Sequence, residues 1–193
     1  MKVDCIVLAA GLSRRFGETD KLLVEVGGQP LIRRAATCAL NTRCNRVVVV
    51  TGKDAAQISS ALNGLAVTLC PNSAHTDGIG SSISAGIASL QASTDGALIL
   101  PADMPWMESA LIDRLISQFA AAGGKAVVYP TTASGQQRNP VLWPRSEFAK
   151  LRMLNADRGA RSLIACSSLK RIVVPVADDH IFRDIDSPDD LPG

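Results

Sequence analysis

Short runs made mostly of β-branched and aliphatic residues recur along the chain at Val3–Leu8, Val47–Thr51, Ala66–Leu69, Ala97–Leu100, Ala126–Tyr129 and Ile172–Val176. None alternates strictly between apolar and polar. Strands read this way when both faces are covered, as they are in parallel sheets flanked by helices. Between the runs lie stretches with helical spacing. Leu31–Leu40 follows Pro30, a residue favoured where helices begin, and Ala55–Leu62 sets Ile58 and Leu62 four apart. Ser81–Leu90 carries Ile83, Ile87 and Leu90, and Ala110–Ala122 places Leu111, Leu115 and Phe119 on one face. This alternation specifies an α/β layered fold with a mostly parallel sheet and right-handed crossovers. Ligands of such folds gather outside the carboxyl ends of the strands.

The second half is less regular. Thr131–Gln137 reads as a polar hairpin or flap before Asn139-Pro140-Val141-Leu142-Trp143, and Ser146–Met153 and Gly159–Cys166 read as short helices. Arg183–Leu191 reads as a brief extended piece followed by a Ser-capped turn with proline at its first position. At 193 residues, with 47% hydrophobic and 20% charged, the chain fits a single domain over 1–193. A net charge of +2 gives no support for binding nucleic acid or an acidic membrane surface, so an anion site must be local. Aromatic residues at 4% leave few platforms for single-stranded nucleic acid. Five cysteines (Cys5, Cys38, Cys44, Cys70, Cys166) without a CxxC pair suit a reducing cytoplasm better than a disulfide framework or a thiolate zinc site. No signal-peptide pattern or membrane-length apolar run occurs, and the expected location is cytoplasmic.

Four stretches carry chemistry. Leu8-Ala9-Ala10-Gly11-Leu12-Ser13-Arg14-Arg15-Phe16-Gly17-Glu18-Thr19-Asp20-Lys21 follows the first strand. Small residues let a backbone approach a ligand, and Arg15 and Lys21 offer cations to phosphates from two sides, above Ala10 and Gly11. It is neither a Walker P-loop nor a dinucleotide fingerprint. The alternative is an ordinary turn with a solvated basic patch. In Leu98-Ile99-Leu100-Pro101-Ala102-Asp103-Met104-Pro105 a carboxylate just past a buried strand sits between two prolines, suited to holding Mg²⁺; capping the next helix is the other role open to Asp103. Gly78-Ile79-Gly80-Ser81-Ser82 opens a helix whose N–H and hydroxyl groups suit a base, ribose or phosphate, or else simply caps it. Asp184-Ile185-Asp186 places two carboxylates on one side of an extended segment, where one could complete a metal site with Asp103 or both could be surface acids. Only two histidines, His75 and His180, are present, and no G-x-S-x-G elbow occurs, so His-rich metal chemistry and serine hydrolysis lack support.

Taken in order, these stretches resemble the MobA/MocA-like molybdenum-cofactor nucleotidyltransferases of the NTP-transferase superfamily. The resemblance rests on Leu8-Ala9-Ala10-Gly11-x-Ser13-x-Arg15-Phe16-Gly17-x-x-x-Lys21-Leu22-Leu23 and Gly27-Gly28-Gln29-Pro30-Leu31. It continues through Gly78–Ser82, Leu100–Pro105, Arg138-Asn139-Pro140-Val141-Leu142, Asp157-Arg158-Gly159-Ala160-Arg161 and Asp184–Leu191. Phe16 stands where methionine is common in the family. The Ala9-Ala10-Gly11 form of the loop is more similar to the MocA cytidylyltransferase branch than to the guanylyl branch, which tends to carry Gly-Gly there.

The resemblance implies a Rossmann-like three-layer α/β/α fold like that of the nucleotide-diphospho-sugar transferases. The part to about residue 105 would bind nucleotide and the remainder would form an acceptor lobe. It implies transfer from an NTP, with CTP favoured, to the terminal phosphate of molybdopterin, with release of pyrophosphate and docking to a molybdoenzyme as an implied partner interaction. Arg15, Lys21 and Asp103 are then the catalytic set. Ala9, Ala10, Gly11, Ser13, Arg15, Lys21, Gly80 and Ser81 bind nucleotide, Asp103 and Asp186 hold Mg²⁺, and Arg138 and Asn139 lie on the acceptor side. Competing readings are a guanylyltransferase, transfer to a sugar or polyol phosphate, and a non-catalytic cofactor-binding chaperone. An NAD(P)-linked oxidoreductase lacks its glycine fingerprint here.

Overall fold

A computed structural model describes residues 1–17, 20–154, 160, 163–164 and 169–191. Seven strands form one sheet in the order β5-β4-β1-β6-β8-β7-β9. They are β1 (Val3–Ala9), β4 (Arg46–Thr51), β5 (Thr68–Pro71), β6 (Gly96–Pro101), β7 (Ala126–Thr131), β8 (Val141–Pro144) and β9 (Lys170–Pro175). A small hairpin, β2 (Glu25–Val26) with β3 (Gln29–Pro30), stands apart. Pairing is parallel except around β8, which runs antiparallel to both β6 and β7. The helices are α1 (Leu31–Leu40), α2 (Ala55–Ala61), α3 (Ile79–Ala88), α4 (Ser109–Ala121) and α5 (Phe148–Arg152).

Alternation along each strand divides the core into two layers. Cys5 and Val7 of β1 face one way with Val47, Val49, Leu98 and Leu100, and meet α1, α2 and α4 through Leu31, Ile58 and Leu115. Ile6, Val50, Ala97 and Ile99 face the other way, against Ile83 and Ile87 of α3 and Leu151 of α5. This is the three-layer α/β/α arrangement with a mostly parallel sheet that the apolar runs specify. At the amino end of β1, Asp4 is fully buried and accepts hydrogen bonds from Asn45 Nδ2 (2.9 Å) and Thr94 Oγ1 (2.7 Å), so its charge is satisfied inside the protein.

Several boundaries differ from the sequence expectation, among them β9, which covers Lys170–Pro175 instead of Ile172–Val176. α3 begins at Ile79, two residues before Ser81, and β5 covers Thr68–Pro71 instead of Ala66–Leu69. β8 was not expected as a strand: it is four residues long and borders a proline at each end. The Thr131–Gln137 stretch does fold back on itself. Thr131 bridges Gln137, Thr132 N donates to Gln136 O (2.9 Å), and Arg138 N donates to Pro130 O (2.9 Å). Apart from Ala160, Leu163 and Ile164, the Gly159–Cys166 segment and the Asp157–Arg161 block lie outside the described residues.

Helix α3 carries the Gly-Ser stretch, so its seating on the sheet matters to the site. A Cβ on Gly86 would stand 2.6 Å from Ile6 Cγ2 and 3.1 Å from Val50 Cγ2, both on stiff β-branched side chains. Gly86→Ala should therefore destabilise the protein by about 1–3 kcal/mol from overpacking, despite alanine's helix-propensity advantage of about 1 kcal/mol. A urea midpoint at or above that of the wild type would refute this close seating.

Candidate active site

Strands β1 and β6 lie side by side and end at the same edge of the sheet, where the loop after β1 meets the loop after β6. Ser13 takes a left-handed conformation (φ 44°, ψ 33°) that turns the chain back on itself. Its Oγ donates to Asp20 Oδ1 (2.8 Å) and accepts from Lys21 N (3.2 Å), while Asp20 Oδ1 also accepts from Leu22 N (3.0 Å). Leu22 is buried beneath, so the backbone of Lys21 is anchored on two sides. Its side chain then reaches across the sheet edge. Lys21 Nζ donates to Asp103 Oδ2 (2.7 Å) and to Asp186 Oδ1 (2.9 Å), and Arg15 Nη1 lies 3.2 Å from Asp186 Oδ2.

Both carboxylates are placed by backbone. Ala102, buried, donates its N–H to Leu8 O (3.2 Å) and extends the β1–β6 register to the residue before Asp103. Ile185, fully buried, donates its N–H to Asp103 O (3.0 Å), which brings Asp186 alongside. Asp190 holds the tail from below, its Oδ2 accepting from Asp186 N (3.1 Å), Ser187 N (2.8 Å) and Ser187 Oγ (2.9 Å).

Two adjoining cavities open here. The first, about 540 Å³, is lined by Ala10, Gly11, Ser13, Arg15, Lys21, Asp103 and Asp186 among the residues singled out from sequence. A Cβ on Gly11 would meet nothing within 4 Å, so its bare face opens onto free space that a ligand could fill. The second, about 390 Å³, is lined by Arg138 and Asn139 at its polar end and by Ile83, Ile99, Val141, Trp143, Ile164 and Phe182 along its walls. Asp103 lines both. Arg138 Nε and Trp143 Nε1 are buried without a hydrogen-bond partner among the described residues.

Three sequence candidates do not line either cavity. The Ala9 side chain packs into the core on the α1 side. Gly80 is buried in the first turn of α3, and Ser81 Oγ donates to Gly78 O (2.8 Å) while accepting from Asn72 Nδ2 (2.9 Å). Of the two α3 serines, it is Ser82 that lines the first cavity, its Oγ accepting from Asn72 Nδ2 (3.1 Å). Adjacent residues of a helix point about 100° apart, so Ser81 and Ser82 of α3 have different surroundings. His75, Thr76, Leu12 and Ile79 also line this cavity; Ile79 belongs to the Gly78–Ser82 stretch, and the one sequence signal for the other three was their position in loops after strands.

The charges are mutually tuned. Burial pulls the Lys21 ammonium down, but the charges and hydrogen bonds of Asp103 and Asp186 outweigh it and hold the pKa above the ordinary lysine value. The hydrogen bond from Lys21 holds Asp186 below the ordinary aspartate value, opposed by partial burial and assisted by the charges of Lys21 and Arg15. A depressed carboxyl stabilises the fold above the unfolded-chain aspartate value of about 3.9, a contribution lost as pH falls through the lowered pKa. The raised lysine contributes below about 10.4 and loses that contribution as pH climbs through its raised pKa. Lys21→Met should move the Asp186 titration back up toward the ordinary range, read from its carboxyl ¹³C shift. An unmoved titration would separate Asp186 from Lys21.

Comparison with known proteins supplies the family. The MobA-like NTP transferase domain matches residues 5–173. The chain is 28% identical to a probable molybdenum cofactor guanylyltransferase of Natronomonas pharaonis, over 96% of this chain and 93% of that protein. It is also 23% identical to the nicotine blue oxidoreductase of Paenarthrobacter nicotinovorans, over 98% of this chain and 94% of that one. The crystal structure of an Rv0371c homologue from Mycobacterium sp. strain JC1 superposes with a TM-score of 0.83 at 25% identity, covering 98% of this chain and 94% of the other. With a matching pattern that spans most of its length and Lys21, Asp103 and Asp186 gathered at the sheet edge, the chain belongs to the MobA-like NTP transferase domain family.

Proposed function

We propose that the protein is a Mg²⁺-dependent nucleotidyltransferase that moves the nucleotidyl group of an NTP to the terminal phosphate of molybdopterin and releases pyrophosphate. The observation that carries this reading is the junction at Asp103. It lines both cavities and shares one ammonium with Asp186. Two substrates seated in adjoining cavities would meet at that carboxylate.

The donor set suits the metal. Asp103 Oδ2 and Asp186 Oδ1 already converge on one cation, the Lys21 ammonium, and no group of three or more His, Cys, Asp or Glu residues competes among the described residues. Mg²⁺ takes such a pair of hard oxygens and completes its shell with phosphates and water. When bound, the ion supplies charge neutralisation for the α-phosphate and the departing pyrophosphate. The remaining work falls to the chain. Arg15 and Lys21 face the triphosphate and offset charge on the leaving group, while Gly11 leaves room for the phosphates. Ser82 offers a hydroxyl in the same cavity. Arg138 and Asn139 bind and orient the attacking phosphate from the second cavity. Its oxygen forms a bond to the α-phosphorus as the bond to pyrophosphate breaks, so no protein nucleophile is required. The part to about residue 105 serves the nucleotide and the rest the acceptor.

The long apolar walls of the second cavity favour a ring system over a polyol, which supports a pterin acceptor. For the nucleotide we infer CTP. Ala10 lines the first cavity, so a methyl-bearing residue stands where the guanylyl branch tends to carry glycine. One methyl changes selectivity by about 1–3 kcal/mol. GTP is the second reading, favoured by the guanylyltransferase names of the relatives. A binding panel of CTP, GTP, ATP and UTP with Mg²⁺ decides between them.

Asp103→Asn should lower pyrophosphate release from Mg²⁺, NTP and molybdopterin by a factor of at least about 10²–10³, the scale of losing one charge-stabilising group. Its circular dichroism should match the wild type, and full activity would remove the metal assignment. Lys21→Ala should weaken use of the triphosphate far more than binding of the nucleoside monophosphate. Equal loss for both would count against its place on the phosphates.

A further inference from the structure

The first cavity extends away from the reacting end toward a turn that the transfer chemistry leaves unused. Asp103 follows β6, whereas the turn at His75–Asp77 follows β5, three strand positions away across β1 and β4. At about 4.8 Å per strand this is a span of about 14 Å. The turn leads from β5 back into α3 and lines the same cavity as Asp103, so a nucleotide with its α-phosphate near Asp103 can direct its base toward it. Leu12, 37% exposed, lines the same cavity, and Ile79, 49% exposed, lines it and the second cavity as well. Large apolar side chains left open inside a cavity provide surface for a planar ring to cover.

His75 lines this part of the cavity with a defined tautomer. Its Nδ1 lies 3.1 Å from Asn72 O. A carbonyl oxygen only accepts, so Nδ1 carries the proton and Nε2 of the neutral ring is a bare acceptor. The ring makes no other hydrogen bond among the described residues. Asn72 is itself held: it is buried, its Nδ2 donates to Ser81 Oγ and Ser82 Oγ, and its Oδ1 accepts from Ala74 N (3.0 Å). The acceptor at Nε2 is thus set by the fold before any ligand arrives.

We propose that His75 is a specificity-determining residue, accepting at Nε2 a hydrogen bond from an exocyclic amino group of the nucleotide base. The inference rests on the nucleotidyltransferase reading above. Cytosine, guanine and adenine carry such a group. Uracil and hypoxanthine replace it by a carbonyl or hydrogen, which faces the imidazole lone pair with another lone pair or with nothing. Discrimination of this kind is steep because an unpaired polar group in a binding site is costly.

The test compares nucleotides that differ at the amino group: CTP with UTP, and GTP with inosine triphosphate, each bound with Mg²⁺ at about pH 8 and measured by calorimetry. The wild type should bind the amino-bearing member of at least one pair about tenfold tighter or more. His75→Ala should bring that ratio close to one while leaving the affinity for inorganic triphosphate unchanged. His75→Gln, which still presents an acceptor oxygen, should recover part of it. A ratio near one in the wild type, or one unchanged in His75→Ala, overturns the role of His75 alone. Failure of the wild type to bind any of the four nucleotides overturns the nucleotidyltransferase reading and this inference together.

Discussion

Lys21 Nζ, 2.7 Å from Asp103 and 2.9 Å from Asp186, joins positions 82 and 165 residues apart in the chain. The three residues come from the loop after the first strand, the loop after the central strand and the C-terminal segment. Their value is unequal. Lys21 and Asp103 are only 14% and 22% exposed, so their pair is screened little by solvent, whereas Arg15 and Asp186 are 70% and 48% exposed and contribute at the low end of about 0–1 kcal/mol. Removing Lys21 would leave two carboxylates facing each other with one exposed arginine between them and solvent. The charges of Arg15, Lys21, Asp103 and Asp186 sum to zero. Adding a divalent cation alone, or a polyphosphate alone, unbalances the cluster. Adding both gives each group a new partner.

This cluster can exist because of the sheet. Parallel β1 and β6 end together, so the loops after them diverge over a shared edge and leave a crevice between. The backbone bond from Ala102 to Leu8 fixes how far past the strand Asp103 stands, and the bond from Ile185 to Asp103 brings in the tail. On the other side β8 runs antiparallel to β6, so Val141 and Trp143 project beside Ile99 and floor the second cavity. A fully parallel sheet would have placed a helix connection there. The reversed strand makes the second cavity a neighbour of the first.

The sheet's central strands and α1 were legible in the sequence because continuous apolar runs and helical spacing are local signals. β8 was not: Val141-Leu142-Trp143-Pro144 is as short as a turn, and only its place between β6 and β7 makes it a strand. Asp186 could be read from the alternation around the buried Ile185, and the structure does put it beside Asp103 through Lys21. That Lys21 would itself span the two acids was not legible, since it depends on closing the chain from both ends. Which of the two serines lines the cavity was not legible for a smaller reason. Each residue of an α-helix turns by about 100°, so Ser81 Oγ returns to Gly78 O while its neighbour Ser82 lines the cavity. His75 carried no signal as a lone loop histidine, because its tautomer is decided by a backbone carbonyl three residues away.

Architecture alone does not choose the reaction. Proteins of similar length and likeness include one named as a guanylyltransferase and one named as an oxidoreductase, so the layered sheet constrains where ligands sit and not what happens to them. What separates the alternatives in this chain is the set of groups at the edge. Hydride transfer would need a nicotinamide held flat beside its substrate, with a dinucleotide pyrophosphate over a glycine-rich helix start; here the loop after β1 instead brings cations to two acids. A carrier that only binds a cofactor would have no need to place a carboxylate at the boundary of two cavities. Asp103 lines both cavities and is held by Lys21. A carboxylate at the junction of two cavities, beside Lys21 and Arg15, makes phosphoryl-centred transfer the reading most consistent with these residues.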